Sequence, residues 1–278
     1  MSPTSRRLSR RTFLGLAAGL AAGALAGRMG GALPAAAQSA EELFPPPKQA
    51  EKELPPEFLP AQIQYEGGRW REYEYSLDSL LERVRRRTSI DAARKGRSIR
   101  LSDPDLFDHP FLYIAGRYEF EMPGKEEIER LRRHLTYGGF LLVDDGLGGI
   151  EEGFGRTARA LIERLFPRDP LDPLPSDHSV FRSYYLLRSV GGRQAVSQGL
   201  EGVQLGAFTP VVFCRNDLGG AWARRADGSW AEECTPGGEP QRRAAFQLGV
   251  NVALYSMTGN YKRDLIHHPF IQRRLNQG

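Results

Sequence analysis

The sequence predicts an α/β protein, a three-layer sandwich with a mostly parallel sheet and helices on both faces. Three observations carry this. The runs Phe111–Ala115, Phe140–Val143 and, after its opening threonine, Thr209–Cys214 are apolar; a strand covered on both faces needs that, while a half-exposed strand alternates. Between the strands lie segments of helical periodicity, such as Ile128, Leu131 and Leu135 at i, i+3 and i+7. Finally, each apolar run stops on polar residues: Gly116-Arg117, Asp144-Asp145 and Arg215-Asn216-Asp217. In open parallel sheets ligands bind beyond the carboxyl ends of the strands, so these residues mark the place to look for function.

Taken in order, residues 38–60 contain PPPK and LPPE, which rules out a helix or central strand and predicts an extended linker. A single domain over residues 61–278 follows. Ile63–Tyr65 begins a first strand, Gly67-Gly68 interrupts it, and Trp70–Tyr75 continues it. Leu77, Leu80, Leu81 and Val84 mark an amphipathic helix ending in Arg85-Arg86-Arg87. Cations suit a helix C-terminus, so the triplet reads as a solvated helix end rather than an anion site. Arg97–Leu101 is a short strand, Asp105–Pro110 a turn, and the helix around residues 125–136 ends at Gly138-Gly139.

Residues 146–155 are glycine-rich and precede a helix over Thr157–Phe166. Their spacing matches neither G-x-G-x-x-G nor a P-loop, and Glu151 and Glu152 would repel a phosphate. A proline-rich crossing (167–179), a short helix or strand over Val180–Leu187, and a polar loop over Gly191–Gly206 come next. After the third strand, residues 223–240 read as an excursion. Ala244–Met257 is a helix with Phe246, Val250, Ala253 and Leu254 on one face, stopped by Thr258-Gly259, and the tail from Tyr261 holds one more short helix.

The pI of about 9.1 suggests a basic protein, but the charge is local. Residues 1–37 hold five arginines and no acid, so the formal charge of +4 becomes −1 without them. Overall basicity therefore gives no support to nucleic-acid binding. Two cysteines, Cys214 and Cys234, are too few for a disulfide framework. A buried inert thiol at Cys214 and a single bond between the two both remain open. Residues 9–15, SRRTFLG, resemble the bacterial twin-arginine translocation signal. A short apolar stretch from Phe13 to Gly27 and an A-x-A site at Ala35-Ala36-Ala37 agree with a cleaved leader over residues 1–37. The resemblance implies export in a folded state, to the periplasm or the outer face of the inner membrane. Membrane contact is expected only through this leader, cleaved or kept as an anchor.

The phrases HPFLYIAGR (109–117), EEIERLRRHLTYGGFLLVDD (126–145), LFPRDPLDPLPSDHSVFRSYY (165–185), VVFCRNDLGGAW (211–222) and AFQLGVNVALYSMTG (245–259) resemble one family. It is the bacterial domain of unknown function numbered 4159, over roughly residues 60–260. The resemblance implies a flavodoxin-like sandwich of the class I glutamine amidotransferase type. It also implies an envelope setting beside MoxR-type ATPases and von Willebrand A proteins, which are the partners it suggests. Active class I amidotransferases carry a cysteine in a G-x-C-x-G elbow and a downstream His-x-Glu. Here Cys214 sits in VVFCRND and His267-His268 lacks the Glu, so glutamine nitrogen transfer is disfavoured.

If the strand ends converge, Asp144, Asp145 and His178 could act as general acid and base, and Arg117, Asn216, Asp217 and Trp222 could line a ligand site. Asp after a buried strand also caps turns and helices through backbone bonds, and that reading competes at each position. No metal-ligand spacing and no cofactor fingerprint occurs, so neither is expected. The leading expectation is an exported, non-catalytic module that binds a ligand or protein at the strand ends. A hydrolase or carbohydrate-active enzyme using Asp144 or Asp145 with His178 is the alternative, and a structural envelope protein with residues 38–60 as its contact arm is a third.

Overall fold

The computed structural model describes residues 56, 58–149 and 152–275, with side chains described as far as Thr258. The predicted leader, nearly all of the proline-rich arm, and the side chains of His267 and His268 lie outside the described residues.

The strands are β1 (Ala61–Ile63), β2 (Arg97–Ile99), β3 (Phe111–Gly116), β4 (Phe140–Asp145), β5 (Asp172–Pro173), β6 (Glu201–Leu205) and β7 (Phe208–Cys214). They form one sheet in the order β2-β1-β3-β4-β7-β6-β5. The first five of these pair in parallel, and β6 and β5 add antiparallel at one edge. The parallel part follows the doubly wound order 2-1-3-4-5, whose direction reverses between β1 and β3.

The helices are α1 (Ser76–Arg87), α2 (Lys125–Thr136), α3 (Gly153–Leu165), α4 (Leu218–Trp222) and α5 (Gly238–Leu275). Strand side chains alternate between the faces. Phe111, Tyr113, Phe140, Leu142, Val212 and Cys214 meet α1, α4 and α5 in one core layer. Leu112, Ile114, Leu141, Val143, Val211 and Phe213 meet α2 and α3 in the other. In α1, Leu77, Leu80, Leu81 and Val84 are all buried, each worth about 1.5–3 kcal/mol of apolar burial.

Four expectations change. Residues 70–75 form turns rather than a strand, because Trp70 and Tyr73 pack their rings inward without joining the ladder. Residues 201–205, read as loop, form β6. Val180–Leu187 contains only a 3-10 turn at Ser179–Phe181. The last helix runs past Thr258-Gly259 to Leu275; one glycine costs a helix only about 1 kcal/mol and does not by itself stop it.

Candidate functional site

The carboxyl ends of β3, β4 and β7 carry most of the polar residues the sequence singles out. Asp144 pairs in register with Ala115 on one side and Cys214 on the other. Its carboxylate is fully buried. It accepts from the Tyr113 hydroxyl at 2.9 Å and from the backbone N–H of Leu218 and Gly219 at 2.8 and 2.6 Å. Those two N–H groups open α4, so Asp144 ties the central strand to the helix that follows β7. Burial first, then the nearby Asp217, raises its pKa, while the two N–H donors and Tyr113 pull it back.

Asp145 points the other way. It lies on the α3 side, where a Cβ on Gly155 would collide with its Oδ2. Its Oδ1 accepts from Leu147 N–H at 3.0 Å. Burial pushes its pKa up to about 6. Strand alternation thus puts the sheet between the two adjacent carboxylates, and they do not act on one ligand atom.

Asp217 occupies the left-handed region, φ 58° and ψ 67°, at the N-cap of α4, a conformation that costs a non-glycine residue about 1–3 kcal/mol. The bend lets its Oδ1 accept from Gly220 N–H at 2.8 Å. Its Oδ2 takes Arg193, and Arg117 at 3.4 Å. Arg117 also reaches Glu72 at 3.3 Å and Glu232, and Arg193 reaches Glu232 at 3.0 Å. Two guanidiniums and three carboxylates, from five separated stretches of the chain, close one network above the strand ends. Beside it the Tyr73 hydroxyl is buried without a hydrogen-bond partner, and burial together with Asp217 and Asp144 raises its pKa.

A loop covers this end. Asn216 accepts from Val196 and Ser197 N–H at 3.0 and 2.7 Å and donates to Val190 and Ser197 carbonyls at 3.0 and 2.7 Å. Arg193 and Gln194 then donate to the Gly146 carbonyl, and Arg215 to that of Gly148. The start of the glycine-rich loop therefore turns carbonyls toward cations instead of N–H groups toward an anion.

The other candidates sit elsewhere. His178 bonds Thr209 Oγ1 at 3.1 Å, accepts from Val180 N–H, and packs 5.2 Å from the Tyr255 ring. Thr209 is the second residue of β7 and Cys214 its last, about 16 Å apart at roughly 3.3 Å per residue. His178 therefore lies at the opposite end of the sheet from Asp144, and burial lowers its pKa. Trp222 is fully buried and packs against Tyr113 and Phe246 as core. Cys214 and Cys234 are free and buried. Burial, then Asp144, raises the Cys214 pKa, the reverse of what an attacking thiolate needs. Among the described residues no three His, Cys, Asp or Glu side chains group as a metal site would require.

The residues missed from sequence are Glu72, Arg193 and Glu232. Each sits in a polar loop with no local pattern, and only the fold brings them to Arg117 and Asp217. Also missed is a crevice of ≈ 290 Å³ beside β1 and β3, where Arg100 stands with Glu66, Glu121 and Glu127. It lies at the switch point, where doubly wound sheets take ligands. Glu127 already accepts from Gly124 N–H at 3.0 Å, so the N-terminus of α2 holds its own carboxylate.

Fold and strand-end network together define a doubly wound α/β domain whose conspicuous carboxylates hold its own backbone and arginines. The chain belongs to the family described as Domain of unknown function (DUF4159), which it matches over residues 60–257. No curated protein matches it.

Proposed function

We propose that this chain is an exported, non-catalytic module that docks a protein partner on the carboxyl-end face of its sheet. The partner belongs to an envelope system of the MoxR ATPase and von Willebrand A type. The observation that carries the docking reading is an apolar rim around the ion network. Tyr118, Leu147 and Val196 are 48%, 43% and 44% exposed, and they come from the loop after β3, the loop after β4 and the covering loop. Val196 lies against Gly148, and Leu147 against Gly153, whose neighbour Phe154 donates to the Arg117 carbonyl. Exposed apolar side chains grouped beside charged ones are a common feature of protein contacts. The saturated carboxylates of Asp144 and Asp217 support a rigid platform over a reacting group. The system and the export route rest on the family likeness and on residues 9–15.

The test is binding of the full-length protein to a von Willebrand A protein of the same cell, followed by calorimetry. Leu147→Asp with Val196→Asp should weaken the complex by about tenfold or more, since each places a charge in the contact. Thermal melting should change little, because both side chains are exposed. No binding by the parent protein, or equal binding by the variant, would reject the reading.

A further inference from the structure

A second charged surface lies away from the strand ends, between the last turns of α1 and the start of α5. A groove of ≈ 500 Å³ is lined by Arg83, Arg87, Arg242 and Arg243, with Trp230 and Phe246 among its walls and Glu239 as its one acid. Arg242 is 3% exposed and fully committed: it bonds Glu239 at 2.8 Å and the carbonyls of Ala221 and Glu232, both at 2.6 Å. It thereby neutralises the groove's one acid. Arg83, Arg87 and Arg243 have no ion-pair partner among the described residues.

Aromatic rings hold two of the four groove arginines in place. The Arg83 guanidinium lies 4.6 Å over Phe246, and Arg242 lies 4.4 Å over Trp230, whose ring also meets Arg224 at 4.0 Å. A guanidinium stacked in this way loses less freedom on binding. The ring faces are taken, so the groove is not set up to stack a base or a sugar. Neighbouring arginines also repel one another: burial, then Arg87, lowers the Arg83 pKa. The arginine triplet at the end of α1 divides accordingly. Arg85 bonds the Ala93 carbonyl and Arg86 pairs with Glu82 at 2.7 Å, while Arg87 turns to the groove.

We propose that this groove binds a compact multivalent oxyanion of the phosphate class, held by Arg83, Arg87 and Arg243. A phosphate monoester or a pyrophosphate carries more than one negative charge near neutral pH and presents several acceptor oxygens, which suits several arginine forks better than a single carboxylate does. The phosphate can belong to a soluble phosphorylated compound or to a lipid headgroup. This inference does not depend on the docking face proposed above.

Calorimetric titration of the full-length protein with inorganic pyrophosphate tests it. One-site saturable binding that weakens with added salt is expected. Arg83→Gln with Arg87→Gln should raise the Kd by about tenfold or more, and Arg243→Gln provides the same comparison if that pair fails to fold. Arg86→Gln, whose partner is Glu82, should bind within about twofold of the parent. Co-sedimentation with phosphatidic acid–phosphatidylcholine vesicles, but not phosphatidylcholine alone, competed by pyrophosphate, assigns the phosphate to a headgroup. Pyrophosphate binding without vesicle binding assigns it to a soluble compound. No pyrophosphate binding, equal binding by the groove variants, or equal binding of citrate overturns the proposal.

Discussion

At the scale of single residues, the adjacent acids Asp144 and Asp145 separate into different tasks. Asp144 is saturated by one hydroxyl and two helix-opening N–H groups. Asp145 has one oxygen bonded to Leu147 and its Oδ2 buried with no partner. Its pKa is raised to about 6, chiefly by burial, against about 3.9 in an unfolded chain. The folded protein therefore holds this proton more tightly than the unfolded one. The resulting stability is complete below the unfolded value and is lost as pH rises through about 6. Asp145→Asn removes the titration. Its melting temperature relative to the parent should be higher at pH 8 than at pH 4, and melting curves across that range check it. An offset independent of pH would mean that Asp145 ionises freely in the folded state. The sequence placed both acids at the end of a buried strand. That they face opposite sides follows from strand alternation, and is legible once Phe140–Asp145 is read as one continuous strand.

Among elements, what the sequence revealed depended on burial. The central strands β3, β4 and β7 were legible because both faces are covered and each carries a continuous apolar run. The edge strands β5 and β6 were not. They are short, one is Asp-Pro, and Glu201, Gln204 and Leu205 in β6 are not buried. Their pairing comes from tertiary contact, which local pattern does not record. The covering loop was invisible for a related reason. Much of its order comes from one side chain, Asn216, bonded to backbone about twenty residues away, and the rest from bonds of Arg193 and Gln194 to distant backbone. Asn216→Ala would leave the Val196 and Ser197 N–H groups without their acceptor. Four hydrogen bonds of about 0.5–1.5 kcal/mol each are lost. Amides of the 190–199 segment should exchange with deuterium about tenfold faster or more, while those of β7 stay protected. Unchanged exchange at Val196 and Ser197 would mean that the loop is held by its other bonds, those of Arg193 and Gln194 among them.

For the whole molecule, the charge distribution and the cysteines bear on how the chain travels. All the excess positive charge lies in residues 1–37, outside the described domain. Export in a folded state requires that the domain form first in the reducing cytoplasm. A fold that needed a disulfide would meet an obstacle there. This one does not: Cys214 and Cys234 are free and buried, and the domain is held by two apolar layers on one sheet. The resemblance of residues 9–15 to a twin-arginine signal then makes a test. With Arg10 and Arg11 both replaced by Lys, the cationic charge and the apolar stretch are kept and only the arginine pair is lost. Cell fractionation should find the parent protein in the periplasm or on the outer face of the inner membrane, and the variant in the cytoplasm, folded and unprocessed. If the variant reaches the envelope as well as the parent does, the pair is not read by that route, and the reading of this domain as one exported folded must be given up.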